Sequence, residues 1–243
     1  MILSKSLAKF IKSLQLKKQR KKEGLFIVEG EKSVNELLSS DFKVKFLVGL
    51  SDYVKELGST DFDVYETNST ILDSIGTFKS SDKVIAVAEI KFDMELSFLK
   101  EEIILALDDI NDPGNLGTII RLADWYGITS ILATPETADL YNPKVISATK
   151  GSFTRVNVHY VELVETLKTL EKPIYGAMME GQNLHQVKFS KSGVIVMGNE
   201  ANGISPQIER LITHKITIPK YGAAESLNVA MATGIILDNV KRN

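Results

Sequence analysis

The chain contains no cysteine in its 243 residues. That excludes disulfides, thiolate nucleophiles and cysteine-ligated zinc or iron–sulfur centres at once, and it agrees with a cytoplasmic location, which is the expectation. Histidine is almost as scarce. The three present, His159, His185 and His214, show no i, i+3 or i, i+4 pairing, so no metal site is expected. Serine without a partnered histidine is a poor nucleophile. No apolar run approaches the roughly 20 residues that span a bilayer. The opening MILSKSLAKFIK breaks each short apolar stretch with a charge, which does not read as a signal peptide.

Carboxylates are also missing from one place. The formal net charge is −2, yet residues 1–22 hold no Asp or Glu and carry Lys5, Lys9, Lys12, Lys17, Lys18, Arg20, Lys21 and Lys22. Such a segment can follow a phosphate backbone by charge attraction and counterion release. It can equally be a solvated helix with a frayed, lysine-rich end.

With 44% hydrophobic residues the chain can bury a core without staples, and its length allows two domains. Apolar periodicity predicts helix at Leu7–Leu16, strand at Leu25–Val28, helix at Glu31–Leu38, strand at Val44–Val48, helix at Asp52–Leu57, an extended Val64–Glu66, helix at Ser69–Ile75 and strand at Val84–Ile90. Residues 91–100 read as a linker. Beyond it, strands are expected at Ile103–Leu107, Ser130–Ala133, Arg155–His159, Ile174–Ala177, Val194–Met197 and Lys215–Ile218. Helices are expected at Leu116–Tyr126, Pro143–Thr149, Val161–Leu170, Pro206–Ile212 and Ser226–Val240. The alternation gives an α/β fold with a mainly parallel sheet covered on both faces. The domains expected are 1–95 and 100–243.

The chemistry concentrates where strands should stop, which is where open α/β sheets bind ligands. In Asp112–Arg121, Pro113-Gly114-Asn115 reads as a turn, with Asn115 or Gly114 able to cap the following helix. Arg121 lies six residues after Asn115. An anion held by Asn115, free helix N–H groups and Arg121 is one reading; a capping residue and a surface salt bridge is the other. Gly114 and Gly117 are spaced G-x-x-G, which fails the dinucleotide fingerprint. Met197–Ser205 delivers a strand into Gly-Asn-Glu-Ala-Asn-Gly. Its glycines, Gly198 and Gly203, permit close approach of backbone to ligand. Glu200, the loop's only carboxylate, is a candidate base, a cap or a tie to a neighbouring loop. In the third segment, Pro219 and Gly222 shape a loop and Ser226-Leu227-Asn228 opens a helix, with Ser226 as its expected N-cap.

Together and in order, these segments resemble the SpoU/TrmH family of the SPOUT superfamily of RNA methyltransferases. Asn115, Gly117 and Arg121 match its first motif, MGNEANGIS the second, and IPKYG followed by SLNV the third. The match covers about residues 102–240. The N-terminal part is similar, more loosely, to the family's substrate-binding domain of L30e-like fold. The resemblance implies a C-terminal SPOUT domain with a deep trefoil knot, a homodimer, an RNA substrate and S-adenosylmethionine as methyl donor to a ribose 2′-hydroxyl. It places the donor at Gly198, Ile218 and Leu227, with Met197, Gly203 and Pro219 beside them. It makes Arg121 the central catalytic residue, with Asn115 and Glu200 positioning it and Ser226 and Asn228 framing the substrate. Many relatives have a serine where this chain has Ala230, which disfavours any role for a hydroxyl there.

Ribosomal RNA is the expected substrate, because an L30e-like domain clamps structured RNA by shape and backbone; transfer RNA is the alternative. A catalytically silent RNA-binding or assembly factor on the same fold is the competing reading. A nucleotide-dependent oxidoreductase is disfavoured by the missing fingerprint.

Overall fold

The structure is a computed structural model that describes residues 1–78, 83–91 and 103–242. Most of the expected linker, residues 92–100, and with it both domain limits near 95 and 100, lies outside the described residues. The chain divides into two compact units. Asp139–Thr154 packs with the N-terminal one, and residues 103–138 and 155–242 form the other.

In the N-terminal unit, β1 (Leu25–Glu29), β2 (Val44–Leu50), β3 (Asp63–Thr67) and β4 (Val84–Glu89) form one sheet in the order β1-β4-β2-β3. β4 runs antiparallel to β1 and β2, while β2 and β3 are parallel. Alternation along β1 sends Ile27 to one face and Phe26 to the other. On Ile27's side, Ile11 and Leu14 from α1 (Lys5–Ser13) and its cap meet Phe46, Val48, Ile85 and Val87, with Leu72 and Ile75 from α5 (Ser69–Ile75). Phe26 packs instead against Phe42, Tyr141 and Phe153, with ring centroids 4.6–6.0 Å apart. The tilted and edge-on angles are those aromatic quadrupoles favour. Tyr141 and Phe153 flank α7 (Pro143–Thr149).

One basic residue departs from the expected exposed segment. Arg20, on α2 (Lys17–Glu23), is 2% exposed. It donates to the carbonyls of Leu14 and Gln15 and to Asp139 Oδ2 at 2.6 Å. The guanidinium therefore satisfies carbonyls left open at the end of α1, and its charge is met by a carboxylate.

The second unit is a six-stranded, all-parallel sheet in the order β10-β8-β9-β5-β6-β7. β5 (Ile103–Leu107) and β9 (Gly193–Met197) are buried at every residue. Unbroken apolar runs are what a sheet covered on both faces requires. β6 (Ser130–Ala133), β7 (Asn157–Tyr160), β8 (Ile174–Asn183) and β10 (His214–Thr217) complete it. α8 (Leu163–Thr169) and α9 (Pro206–Glu209) pack one face through Leu163, Leu167 and Ile208.

Several boundaries differ from those expected. β8 runs to Asn183 rather than Ala177, because β10 pairs with it twice, at Tyr175–Gly176 and again at Gln182–Asn183. α9 stops at Glu209, and the last helix, α10 (Val229–Arg242), starts at Val229 rather than Ser226. α6 (Pro113–Trp125) begins three residues before the expected Leu116, so Pro113-Gly114-Asn115 is its first turn rather than a preceding turn. The cap is neither Gly114 nor Asn115 but Asp112, whose Oδ1 accepts the Asn115 N–H at 2.8 Å. An aspartate followed by an N1 proline is the stronger start signal.

Candidate active site

β5 sits where the strand order changes direction: the chain goes from β5 to β6 on one side, and β9 lies on the other. In open parallel sheets ligands bind beyond the strand ends at this point. Leu107 and Met197 are paired there, and the Asp108 N–H continues the ladder to the Met197 carbonyl at 2.9 Å.

The loop after β9 closes on itself. Asn199 and Gly203 exchange both backbone hydrogen bonds, at 3.0 and 2.9 Å. The Asn199 carboxamide accepts from the N–H groups of Ala201 and Asn202 and donates to the Asp109 carbonyl at 2.7 Å. Buried Asp108 accepts the Ser205 N–H at 2.6 Å. Both ends of the loop are thus tied to the end of β5. Gly198 has a specific reason to be glycine: a Cβ there would lie 2.3 Å from the Gly203 carbonyl carbon. Gly203 has φ +67°, a left-handed conformation that costs most side chains about 1–2 kcal/mol. The first glycine is required by the loop's own closure and the second by its turn.

One chain of side chains joins the three motifs. Asn115, in the first turn of α6, donates from Nδ2 to Glu200 Oε1 at 2.5 Å. Asn228 Nδ2 donates to Asn115 Oδ1 at 2.9 Å. Asn228 Oδ1 accepts from the N–H groups of Ala230 and Met231, making Asn228, not Ser226, the cap of α10 (Val229–Arg242). The Asn115 carboxamide spends its donor on one loop and its acceptor on the other. Glu200 is thereby a tie between loops, one of the roles its position allowed.

Arg121 is exposed on α6 and has no hydrogen bond or ion pair among the described residues. The surface salt bridge considered for it is not formed. Ser226 and Leu227 lie in an exposed stretch, residues 220–228, and neither joins the Asn115 network. Gly198, Ile218 and Leu227 share a further property. Their main-chain N–H and C=O groups have no partner among the described residues. Pro219 follows Ile218 at the end of β10, and Met197 is buried, its carbonyl already taken by the Asp108 N–H.

Residues 102–238 match the SpoU rRNA methylase family. The chain belongs to that family. Residues 5–86 match the MRM3-like substrate binding domain. The chain is 30% identical over 235 residues, 95% of its length and 94% of the relative's, to the 23S rRNA (guanosine(2553)-2′-O)-methyltransferase RlmP of Bacillus subtilis. Among solved structures it is similar to a putative TrmH-family RNA methyltransferase of Porphyromonas gingivalis, with TM-score 0.90, 34% identity and complete coverage of both chains. It is also similar to an AdoMet-bound rRNA methyltransferase of Sinorhizobium meliloti, with TM-score 0.88, 29% identity, and 99% and 95% of the two chains covered.

The sequence singled out the SpoU motifs but not the residues that hold them. Asp108, Asp109, Asp112 and Asn199 were missed, as were Thr134 and Thr137, whose hydroxyls accept the N–H groups of Asp109 and Ile110. Only Asp112 carried a readable signal, the proline after it. Among the described residues no three His, Asp or Glu side chains group as metal ligands, and no helix is long and apolar enough to cross a membrane.

Proposed function

We propose that this SpoU-family protein transfers the methyl group of S-adenosylmethionine to a ribose 2′-hydroxyl of structured RNA, and that its substrate is ribosomal RNA. The observation that carries the reading is the Glu200–Asn115–Asn228 bridge, which unites the loop after β9, the start of α6 and the start of α10 in one site. A passive RNA-binding scaffold has no need for such a tie.

The residues present fit the methyl donor. Buried or ligand-facing main-chain groups need partners, and those of Gly198, Ile218 and Leu227 have none within the described protein. They would hold the donor through backbone, with Met197, Gly203 and Pro219 shaping the walls. When bound, S-adenosylmethionine supplies an already electrophilic methyl group, so the protein need only orient the ribose oxygen and manage its proton. Orientation alone can account for several kcal/mol of barrier. Arg121 is the candidate for the second task. Its guanidinium is always protonated, so the hydroxyl's proton passes to water or to an oxygen of the neighbouring phosphate, and Arg121 assists that loss by its charge. With no carboxylate engaging it among the described residues, its fork can hold the neighbouring phosphate and stabilise negative charge developing on the 2′-oxygen. Asn115 and Glu200 fix the loops around it, while Ser226 and Asn228 frame the substrate side. Ala230 is buried in α10, so no step calls on a hydroxyl there.

The same proposal includes the trefoil knot, a cytoplasmic location and a homodimer. Trp125 on α6 and Met231 on α10 are 81% and 64% exposed, and the two helices pack together through Leu122 and Gly234. Large apolar side chains left in water on neighbouring helices support a second copy covering them.

The test is to map 2′-O-methyl positions in total RNA from cells with and without the gene. Loss at one ribosomal position is the expected result. Loss in transfer RNA would move the substrate, and no change anywhere would favour the silent factor.

A further inference from the structure

The charge of this chain is divided unequally. All 31 carboxylates lie from Glu23 onward, against 21 of the 29 basic residues, so residues 23–243 carry −10 and residues 1–22 carry +8. The structure divides those eight cations again. Arg20 is buried and committed to Asp139, Leu14 and Gln15. The seven lysines are all exposed. On α1, Lys5, Lys9 and Lys12 recur at i, i+4 and i+7, opposite Ile11 and Leu14, which are turned into the core. On α2, Lys17 and Lys21, and Lys18 and Lys22, form two i, i+4 pairs. Only Lys22 meets a carboxylate among the described residues, that of Glu23 at 3.5 Å.

What stands between the lysines matters as much. Side chains that could read base edges or stack on bases are already engaged. Gln15 donates to the carbonyls of Ile75 and Gly76, and Gln19 to Glu23. Ser13 donates to the Phe10 carbonyl, and Ser6 is paired with Ser4. Phe10, the only aromatic in the two helices, packs against the core. What remains is a set of ammonium groups, compact point charges without the directional fork of arginine.

We propose that the exposed lysines of α1 and α2 dock RNA through the RNA's phosphates alone, independently of sequence, and that Arg20 is the strut holding the two helices rather than a phosphate contact. The partner's identity rests on the methyltransferase reading above; the charge argument does not. Phosphate contacts position a nucleic acid, while base contacts specify it. Selection of the target nucleotide then belongs to other parts of the protein. A bilayer surface is the weaker occupant, because amphipathic membrane helices need a free apolar face, and that of α1 is spent on the core.

The experiment uses the full chain and two unrelated structured RNA hairpins. Binding of each is followed by fluorescence anisotropy from about 50 to 300 mM salt. Each phosphate contact contributes about 0.7–0.9 to the slope of log K against log salt. Replacing Lys17, Lys18, Lys21 and Lys22 together by Gln should flatten the slope by about 3 and weaken binding of both hairpins equally, by at least tenfold at low salt. Replacing the same four by Arg should keep the slope. Calorimetry should give unchanged S-adenosylmethionine affinity for both variants, and circular dichroism with urea midpoints should match wild type, which together certify the fold of both units. An unaltered slope in the Gln variant, a loss confined to one hairpin, or lysine-dependent binding of phosphatidylglycerol vesicles without the RNA effect would each overturn the proposal. The methyltransferase reading fails separately, if the wild-type protein binds no S-adenosylmethionine while the lysine-dependent slope persists.

Discussion

Asn228 donates its side-chain amide to the Asn115 carboxamide oxygen at 2.9 Å, while its own oxygen caps α10. One asparagine thus fixes where the last helix begins and how it is tied to the start of α6. The two residues are 113 positions apart in the chain, so the bond is a property of the assembled unit alone.

The bridge depends on donor and acceptor sense. Asn115→Asp removes the donor to Glu200 and sets two carboxylates against each other, and methyl transfer should fall at least tenfold, about 1.4 kcal/mol in the barrier. Adding Glu200→Gln restores a donor–acceptor pair in the reverse sense and should recover most of the loss. Steady-state kinetics of the two single variants and the double variant measure this. Equal activity in Asn115→Asp and wild type would remove Asn115 from the site.

Arg121 acts through a planar fork that lysine cannot reproduce. Arg121→Lys should therefore keep appreciable RNA affinity and lose most turnover, seen as a fall in kcat with little change in RNA Kd. Full activity in this variant would show that a point charge suffices.

Gly198 and Gly203 should respond differently to alanine. At Gly198 a Cβ meets backbone at 2.3 Å, so the loop must open, and S-adenosylmethionine binding by calorimetry should be lost. At Gly203 there is open space but φ is +67°. Alanine there should lower stability by about 1 kcal/mol with the binding largely kept.

How much of this was legible in the sequence follows from the range of the interactions. The parallel strands were readable because β5 and β9 are buried on both faces and show it as unbroken apolar runs. The site glycines stood out because few residues tolerate their backbone. Helix starts were misplaced where a side chain other than the expected one capped them, as with Asp112 for α6 and Asn228 for α10. Arg20 sits in a run of seven lysines, and nothing local distinguishes it; its partner Asp139 is 119 residues away. Nor does any local pattern announce that Asp108 holds Ser205.

The Arg20–Asp139 pair, buried at its arginine, gives a stability test. Asp139→Ala leaves the Arg20 charge buried without a counter-ion, which typically costs about 3–5 kcal/mol. The urea midpoint should fall accordingly. Asp139→Ala combined with Arg20→Met should recover much of it, because an apolar side chain needs no partner there. A single variant as stable as wild type would show that water already screens the guanidinium.

Acid should destabilise the fold through His159. Burial holds its imidazole below the ordinary value of 6.5. The unfolded chain therefore takes up a proton first as pH falls, and stability declines from about pH 6.5 downward while staying flat above it. Urea midpoints from pH 7.5 to 5, compared with those of His159→Gln, should show a shallower decline in the variant. Parallel curves would assign the acid sensitivity elsewhere.

The central claim is chemical, and methyl-labelled S-adenosylmethionine tests it most directly. Purified protein is incubated with the labelled donor and ribosomal RNA from cells lacking the gene, and the RNA is hydrolysed in alkali. A methylated 2′-oxygen cannot attack its neighbouring phosphate, so the account predicts label in alkali-resistant dinucleotides, with Arg121→Lys giving little. Label released with mononucleotides would mean a base is methylated, and would contradict it.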